Sequence, residues 1–319
     1  MCALGYLLLA TLACAPASAQ EDWPSRPLRL VVPSSPGGGT DTYARVLSQA
    51  LVDQLHQQIV IDNRPGASGN IGTEIVARAA GDGYTFLVSA NAAITVNPAL
   101  YPSLPFDMDR DFAPVTRGVS AALALIVPAT STNATLRDLI ADARQNPGRL
   151  AFGSAGNGSP TYLGVRLIGE AAGVSFLHVP YKGIGPALQG LLSGELAFLF
   201  PDLTGVIPHL RSGRLRALAI SEHSPLFPDV PTLAESGLPG VRVWGSFSVL
   251  APASTSRDIV QRMNNAVARA MKQPALAEKL RNQGLVPVFD TPEEFAASLR
   301  AEREHWAGLI RRNHISADD

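Results

Sequence analysis

Cysteine is almost absent. The 319-residue chain has two, Cys2 and Cys14, both inside an N-terminal apolar stretch, so nothing after residue 19 carries a thiol. A disulfide scaffold, a thiol nucleophile and a Cys-ligated zinc site are excluded for that part of the chain. An excess of either charge is missing too. With 26 basic and 27 acidic residues and a formal net charge of -1, the chain offers no basic face for nucleic acid and no acidic solvating arm. The histidines, at 56, 178, 209, 223, 305 and 314, are dispersed. There is no H-E-x-x-H and no cluster of His and carboxylates at metal spacing, so no metal or cofactor is expected. Beyond the N-terminus, charges, Pro or Gly interrupt every apolar run before it reaches membrane-spanning length.

What is present is an exported, core-forming chain. An apolar content of 46% over this length suits about two domains. "LGYLLLATLACAPASA" is too short to span a bilayer as a stable helix, and it ends in Ala17-Ser18-Ala19, the small-x-small pattern of a signal peptidase site. Residues 1–19 are therefore expected to be a signal peptide cleaved near Ala19/Gln20, which places the protein in the periplasm. "MCALGY" lacks the usual Lys or Arg, so a displaced start or missing first residues are expected. A second reading lipidates Cys14, against which Thr11 stands where a lipobox carries Leu.

From Arg26 onward short apolar runs alternate with amphipathic stretches, the pattern of β-α units on mostly parallel sheets. Strands are expected at 28–32, 59–62, 85–89, 123–127, 150–153, 176–179, 197–200, 215–220 and 247–250. Thr40 and Asp41 offer cap oxygens before a helix carrying Ala44, Leu47 and Leu51. Thr135 with Asp138 reads as a capping box. Thr291-Pro292-Glu293-Glu294 opens a long C-terminal helix through Phe295, Leu299, Trp306 and Ile310. No flexible tether appears, so the chain is expected to cross between lobes twice, near 119–123 and near 241–247. That divides it into one lobe of residues 24–122 and 246–319 and another of 123–245.

Two loops carry the chemistry. In "LRLVVPSSPGGGTD" a strand ends at Pro33, and Ser34, Ser35, Pro36, Gly37, Gly38, Gly39, Thr40 and Asp41 lead into a helix. Such a loop presents unpaired N–H groups at the positive end of a helix dipole, where glycine lets an anion approach the backbone. It lacks the Gly-Lys-Ser/Thr ending of a P-loop and the G-x-G-x-x-G spacing of a dinucleotide site, so a carboxylate fits at least as well as a phosphate. "LAFGSAGNGSPTYLG" repeats the device with Ser154, Ala155, Gly156, Asn157, Gly158 and Ser159 before Pro160. Two such loops in two lobes would face each other across a cleft. Asn91, Tyr181, Lys182 and Asp202 also follow apolar strands and join the candidate set. "DNRPGASGNIG" is read as a structural turn, and His178 and His209 as structural side chains.

Enzyme signatures are missing, G-x-S-x-G included. A hydrolase or transferase using Ser154 or Ser159 would need a histidine held against that serine, and nothing in the spacing supplies one. No enzymatic activity is expected.

Eight motifs then occur in order: "VVPSSPGGGTD", "IDNRPGASGNIG", "GDGYTFLVSANAAITVNPALY", "FGSAGNGSP", "HVPYKG", "PHLRSGRLRALAIS", "PDVPTLAESGLPG" and "LAPASTS". Together they resemble the Bug family of extracytoplasmic solute receptors, the binding proteins of tripartite tricarboxylate transporters, from about Trp23 to about Ile315. The resemblance implies a two-lobed, type II-like periplasmic binding protein that closes on a small organic acid. It implies that the two Gly-rich loops grip one carboxylate, with Asn91, Tyr181 and Lys182 nearby. Membrane subunits of such a transporter are the implied partners and a monomer the expected state. An exported sensor feeding a signalling partner is the alternative. The chain departs from the family pattern at Ser34-Ser35, where an apolar residue and Pro are common. It departs again at Pro201-Asp202, where the acid is displaced by one position, and at Ser246, where an aromatic is frequent. Asp202, if it faces the cleft, would disfavour a second carboxylate and favour an amino, amide or hydroxyl group.

Overall fold

Short runs rich in Val, Ile, Leu and Phe, each followed by a helix, build two sheets joined by two chain crossings. The computed structural model describes residues 23–156, 159–312 and 315; the expected signal peptide, Asn157 and Gly158 lie outside them. The chain enters through β1 (Leu28–Val32), α1 (Gly39–Leu55), β2 (Ile59–Asn63), α2 (Asn70–Ala77), β3 (Thr85–Ala90), α3 (Asn91–Thr95), α4 (Asn97–Leu100) and β4 (Phe112–Ala121). It then builds the second sheet through β5 (Ala124–Pro128), α5 (Leu136–Gln145), β6 (Ala151–Ser154), α6 (Pro160–Ala172), β7 (Leu177–Pro180), α7 (Ile184–Ser193), β8 (Phe198–Leu199), α8 (Ile207–Arg211) and β9 (Leu215–Ile220). Finally it returns with β10 (Gly245–Pro252), α9 (Arg257–Met271), α10 (Pro274–Arg281), β11 (Leu285–Pro287) and α11 (Pro292–Arg312).

The sheets run β11-β4-β10-β3-β1-β2 and β7-β6-β8-β5-β9. Each contains a parallel trio, β2-β1-β3 in one and β7-β6-β8 in the other. Beside each trio lies the strand that has just crossed from the other sheet, β10 or β5, antiparallel to its neighbours. The sheets are thus mixed rather than mostly parallel, and each lobe repeats the other's strand order. That repetition puts the loops after β1, β2 and β3 opposite those after β6, β7 and β8, at the carboxyl ends where open α/β sheets hold ligands.

Most expected strands form within two residues of their expected ends. β4 and β11 were not expected. β4 reads "FAPVTRGVSA", with Pro114 and Gly118 breaking any alternation; the sheet takes it in because its pairing with β10 shifts register between Phe247 and Ser248 and again between Val249 and Leu250. The crossings accordingly shrink to the residues between β4 and β5 and to the segment just before β10. They lie side by side, with Gly245 paired to Ala121.

The caps follow the sequence at α5 and α11. Thr135 and Asp138 close a capping box, and Thr291 and Glu294 exchange bonds of 2.9 and 3.2 Å. At α1 the expectation is corrected: the N-cap is Gly38, without a side-chain cap. Asp41 instead turns back on the loop, accepting from Gly37 N (3.0 Å), Arg45 Nε (2.9 Å) and Asn63 Nδ2 (3.0 Å).

Helix α11 spans both lobes. Its Phe295 and Leu299 pack with Val31, Leu87 and Leu250 of the first sheet, and its Trp306 and Ile310 join Phe152 and Phe198 of the second sheet and Tyr162 of α6. Among the described residues no helix is long and apolar enough to cross a membrane.

Candidate functional site

A cavity of about 440 Å³ lies where the two sets of loops meet. From the first sheet, Ser34, Ser35, Gly38, Gly39 and Thr40 follow β1, Gly66 to Gly69 follow β2, and Asn91 follows β3. From the second, Ala155, Gly156 and Ser159 follow β6, Tyr181, Lys182 and Gly183 follow β7, and Asp202 follows β8. The crossings and the start of β10 supply the back wall, through Leu123 and Trp244 and through Ser246 and Phe247 respectively. The structure therefore brings most of the sequence candidates to one place. Of the rest, Asp41 and Ser154 are buried away from the lining, Pro36 and Gly37 are exposed outside it, and Asn157 and Gly158 lie outside the described residues.

The loop of three glycines uses each for a different reason. Gly37 has φ +85°, a conformation that favours glycine. Gly38 ends the loop as the bare cap of α1, leaving first-turn N–H groups at the cavity wall. Gly39 passes directly over the carboxylate of Asp202 from the opposite lobe, so that a Cβ there would stand 2.8 Å from Asp202 Cγ. Contact between the lobes continues along the loop. Ser35 Oγ donates to Lys182 O at 2.9 Å, and Cβ atoms placed at Gly185 and Gly205 would lie 3.7 Å from the carbonyls of Pro36 and Gly37. These contacts describe closed lobes.

The second loop is braced from beneath. Ser154 Oγ accepts from Gly156 N at 3.0 Å, and Ser159 caps α6 by accepting from Tyr162 N. The expectation that no histidine reaches either serine is corrected. Parallel pairing of β6 with β7 sets Phe152 beside His178, and His178 Nε2 lies 2.7 Å from Ser154 Oγ. His178 stacks at 5.0 Å on Phe152 and lies 4.6 Å from Tyr162. Burial, with the charge of Arg166, pushes its pKa down to about 4, so the ring is neutral and can accept the Ser154 proton. Ser154 is fully buried and absent from the cavity lining. The pair thus shapes the loop.

Few charges line the cavity. Among the described lining residues Lys182 is the one cation and Asp202 the one acid. The Lys182 side chain is exposed, and the Tyr181 hydroxyl is spent on Glu195 at 3.2 Å. Burial raises the Asp202 pKa against the opposing bonds from Thr204 and Gly205, and Thr204 N donates to Oδ1 at 3.1 Å. For Asp41 burial also raises, but the bonds from Arg45, Gly37 and Asn63 prevail and hold it below the usual value. Ser34 Oγ and Ser246 Oγ are buried without a protein partner.

The segment Gly66 to Gly69 was missed as a site. The signal for it was symmetry: it follows β2 as Tyr181 to Gly183 follow β7, and Ser68 Oγ would be 2.8 Å from a Cβ at Gly156 across the cleft.

Two lobes of matching strand order, two crossings and a cavity walled by strand-end loops define a periplasmic binding protein fold. The solved "periplasmic binding protein BugD" superposes with a TM-score of 0.88 at 28% identity, over 92% of this chain and 99% of that one. The chain belongs to the family described as "Tripartite tricarboxylate transporter family receptor", whose model matches residues 43–315. It is 38% identical over 311 residues to protein BugT of Bordetella pertussis, covering 97% of this chain and 95% of that one. Rpa4515 of R. palustris, solved with adipate, is similar at 34% identity and a TM-score of 0.90, over 92% of this chain and 99% of that one.

Proposed function

We propose that this protein is an exported receptor that captures a small organic acid between its lobes and hands it to membrane subunits of a tripartite tricarboxylate-type transporter, without chemical change. The observation that carries the reading is the meeting of two Gly-rich loops, from equivalent strands β1 and β6, across one cavity beside the uncapped N-terminus of α1. Residues 24–122 with 246–319 form one jaw and residues 123–245 the other, with α11 reaching across both. Backbone N–H groups and the dipole of α1 hold the carboxylate, and exclusion of water on closure strengthens each contact. A grip by neutral dipoles suits a cavity lined by a single exposed lysine.

The rest of the ligand meets Trp244, Phe247, Tyr101 and Leu123, which suit an apolar or aromatic body, while Asp202 disfavours a second carboxylate close by. Adipate bound to the similar protein from R. palustris supports a carboxylic acid as the ligand class. A thermal-shift screen of organic, amino and aromatic acids tests the reading, because a ligand bound to the native state alone raises the melting temperature with occupancy. Acids that shift it and are recovered unchanged are expected. A screen in which none does, or in which the bound acid is turned over, overturns the proposal.

A further inference from the structure

Outside the two glycine loops, the cavity wall leans on one buried acid that the capture mechanism does not use. Glu302 lies on α11 between Leu299, packed in the first lobe, and Trp306, packed in the second, and it is 7% exposed. Its Oε2 faces Asn91 Nδ2 at 3.4 Å, and the Trp244 indole also donates to its carboxylate. Asn91 and Trp244 both line the cavity. Asn91 Oδ1 is in turn taken by the hydroxyl of Ser248, which is fully buried on β10. Trp244 is held further by the rings of His305 and Trp306, at 5.6 and 5.7 Å.

We propose that Glu302 is a positioning residue for ligand capture: from the C-terminal helix it fixes the Asn91 carboxamide and the Trp244 indole on the cavity wall in the orientation that an acid requires. An ionised carboxylate only accepts hydrogen bonds, so it selects the Nδ2 side of Asn91, while the Ser248 hydroxyl selects the Oδ1 side. One Nδ2 hydrogen then remains for another acceptor. A reversed carboxamide would present Oδ1 in its place and repel a carboxylate. The inference rests on the receptor reading above.

The charged groups around Glu302 are Arg117 of β4, which favours its ionised form, and Asp290, which opposes it. These two pair with each other at 3.2 Å. His305, one turn along α11, also lies against the Trp244 ring, at a tilt of 38°. Burial raises the Glu302 pKa, against the bonds from Asn91 and Trp244 and the charge of Arg117.

The test is a double-mutant cycle and one further variant on the mature chain, with an acid found by thermal shift. Glu302→Gln keeps the shape but can donate, and so permits the reversed Asn91. It is expected to leave the melting temperature within a few degrees of wild type and to weaken binding about tenfold, the loss of about one oriented hydrogen bond. In an Asn91→Ala background the same change is expected to have little further effect. Ser248→Ala, which frees the other side of the carboxamide, is expected to weaken binding in the same direction, and it decides the matter should Glu302→Gln fail to fold. Unchanged affinity in the folded variants, or an equal loss with and without Asn91, overturns the proposal while leaving the receptor reading standing. If wild type binds no acid, the receptor reading fails, and nitrogen-resolved spectra of the free protein decide for Glu302. The Asn91 carboxamide signals are expected to titrate in wild type and stay flat in Glu302→Gln, whereas the Trp244 indole, beside His305, reports that ring as well; Asn91 signals that stay flat in both overturn the proposal.

Discussion

Gly39 and Asp202, from opposite lobes, are in van der Waals contact through the space a side chain would fill: a Cβ at Gly39 would lie 2.8 Å from both Cγ and Oδ2 of Asp202. The third glycine of the run is therefore a seat for closure rather than part of the anion cradle. Gly39→Ala is expected to hold the lobes apart. Overpacking of this kind costs about 1–3 kcal/mol, which translates to a loss of about fivefold to 150-fold in affinity if the closed state bears it. Asp202→Gly in the same chain should relieve the overlap. Calorimetry with small-angle scattering reads both; a Gly39→Ala receptor that closes and binds like wild type would show that the seat is slack.

The opposite loop makes a different demand. Gly156 sits at φ +112°, and a Cβ there would also meet Ser68 Oγ at 2.8 Å across the cleft. Valine at this position is strained by the backbone and by the facing loop at once, so Gly156→Val should abolish capture while the far-ultraviolet spectrum stays native. Gly38 is a sharper control. Its φ of -82° suits any residue, and Ser35 O, at 3.8 Å, is the one atom near a Cβ there. Gly38→Val should therefore fold normally and still lose the ligand, because its side chain would occupy the cavity wall. Normal binding by both variants would refute the cradle.

Ser35 separates closure from ligand contact. Its hydroxyl donates to Lys182 O at 2.9 Å, a bond between lobes that separating them would break. An exchangeable bond of this kind contributes about 0.5–1.5 kcal/mol, so Ser35→Ala should weaken every acid by about the same twofold to tenfold factor. Ser34 Oγ has no protein partner, so Ser34→Ala should change the ranking of acids rather than weaken all of them alike. A panel of titrations against both variants distinguishes the two patterns, and identical patterns would contradict this division of roles.

Much of this was legible in the sequence for a physical reason. β1 and β6 are short apolar runs that stop at Gly-rich loops, and α5 and α11 announce themselves by caps whose atoms are local in sequence. β4 was hidden because the register shifts that absorb Pro114 and Gly118 are made by its partner β10, far along the chain. The role of Asp41 was misread for a similar reason: Asn63 from β2, with Gly37 and Arg45, draws its carboxylate back onto the loop. Gly39, Ser68 and Glu302 take their meaning only from residues on another lobe or another helix, and no local pattern marks such contacts. His178 was legible as structural, yet its hold on Ser154 required the pairing of β6 with β7.

That pairing has a pH signature. His178 titrates near 6.5 when unfolded and is pushed down to about 4 in the fold, by burial first and then by Arg166. Between those values the unfolded chain binds a proton that the native chain does not, so stability falls as pH drops through this window and levels off below the lower value. The half-buried ring moderates the size of the effect but leaves its sign unchanged. His209 and His305 are also lowered and add slopes of the same sign, so wild type alone cannot assign the effect. His178→Gln keeps an acceptor for the Ser154 hydroxyl and removes the titration. Its melting temperature should therefore fall less steeply with acidification than that of wild type, with the two curves parallel above neutrality. Parallel curves throughout the acid window would mean that His178 takes up its proton in the native state as readily as in the unfolded one, and that the Ser154 brace survives it.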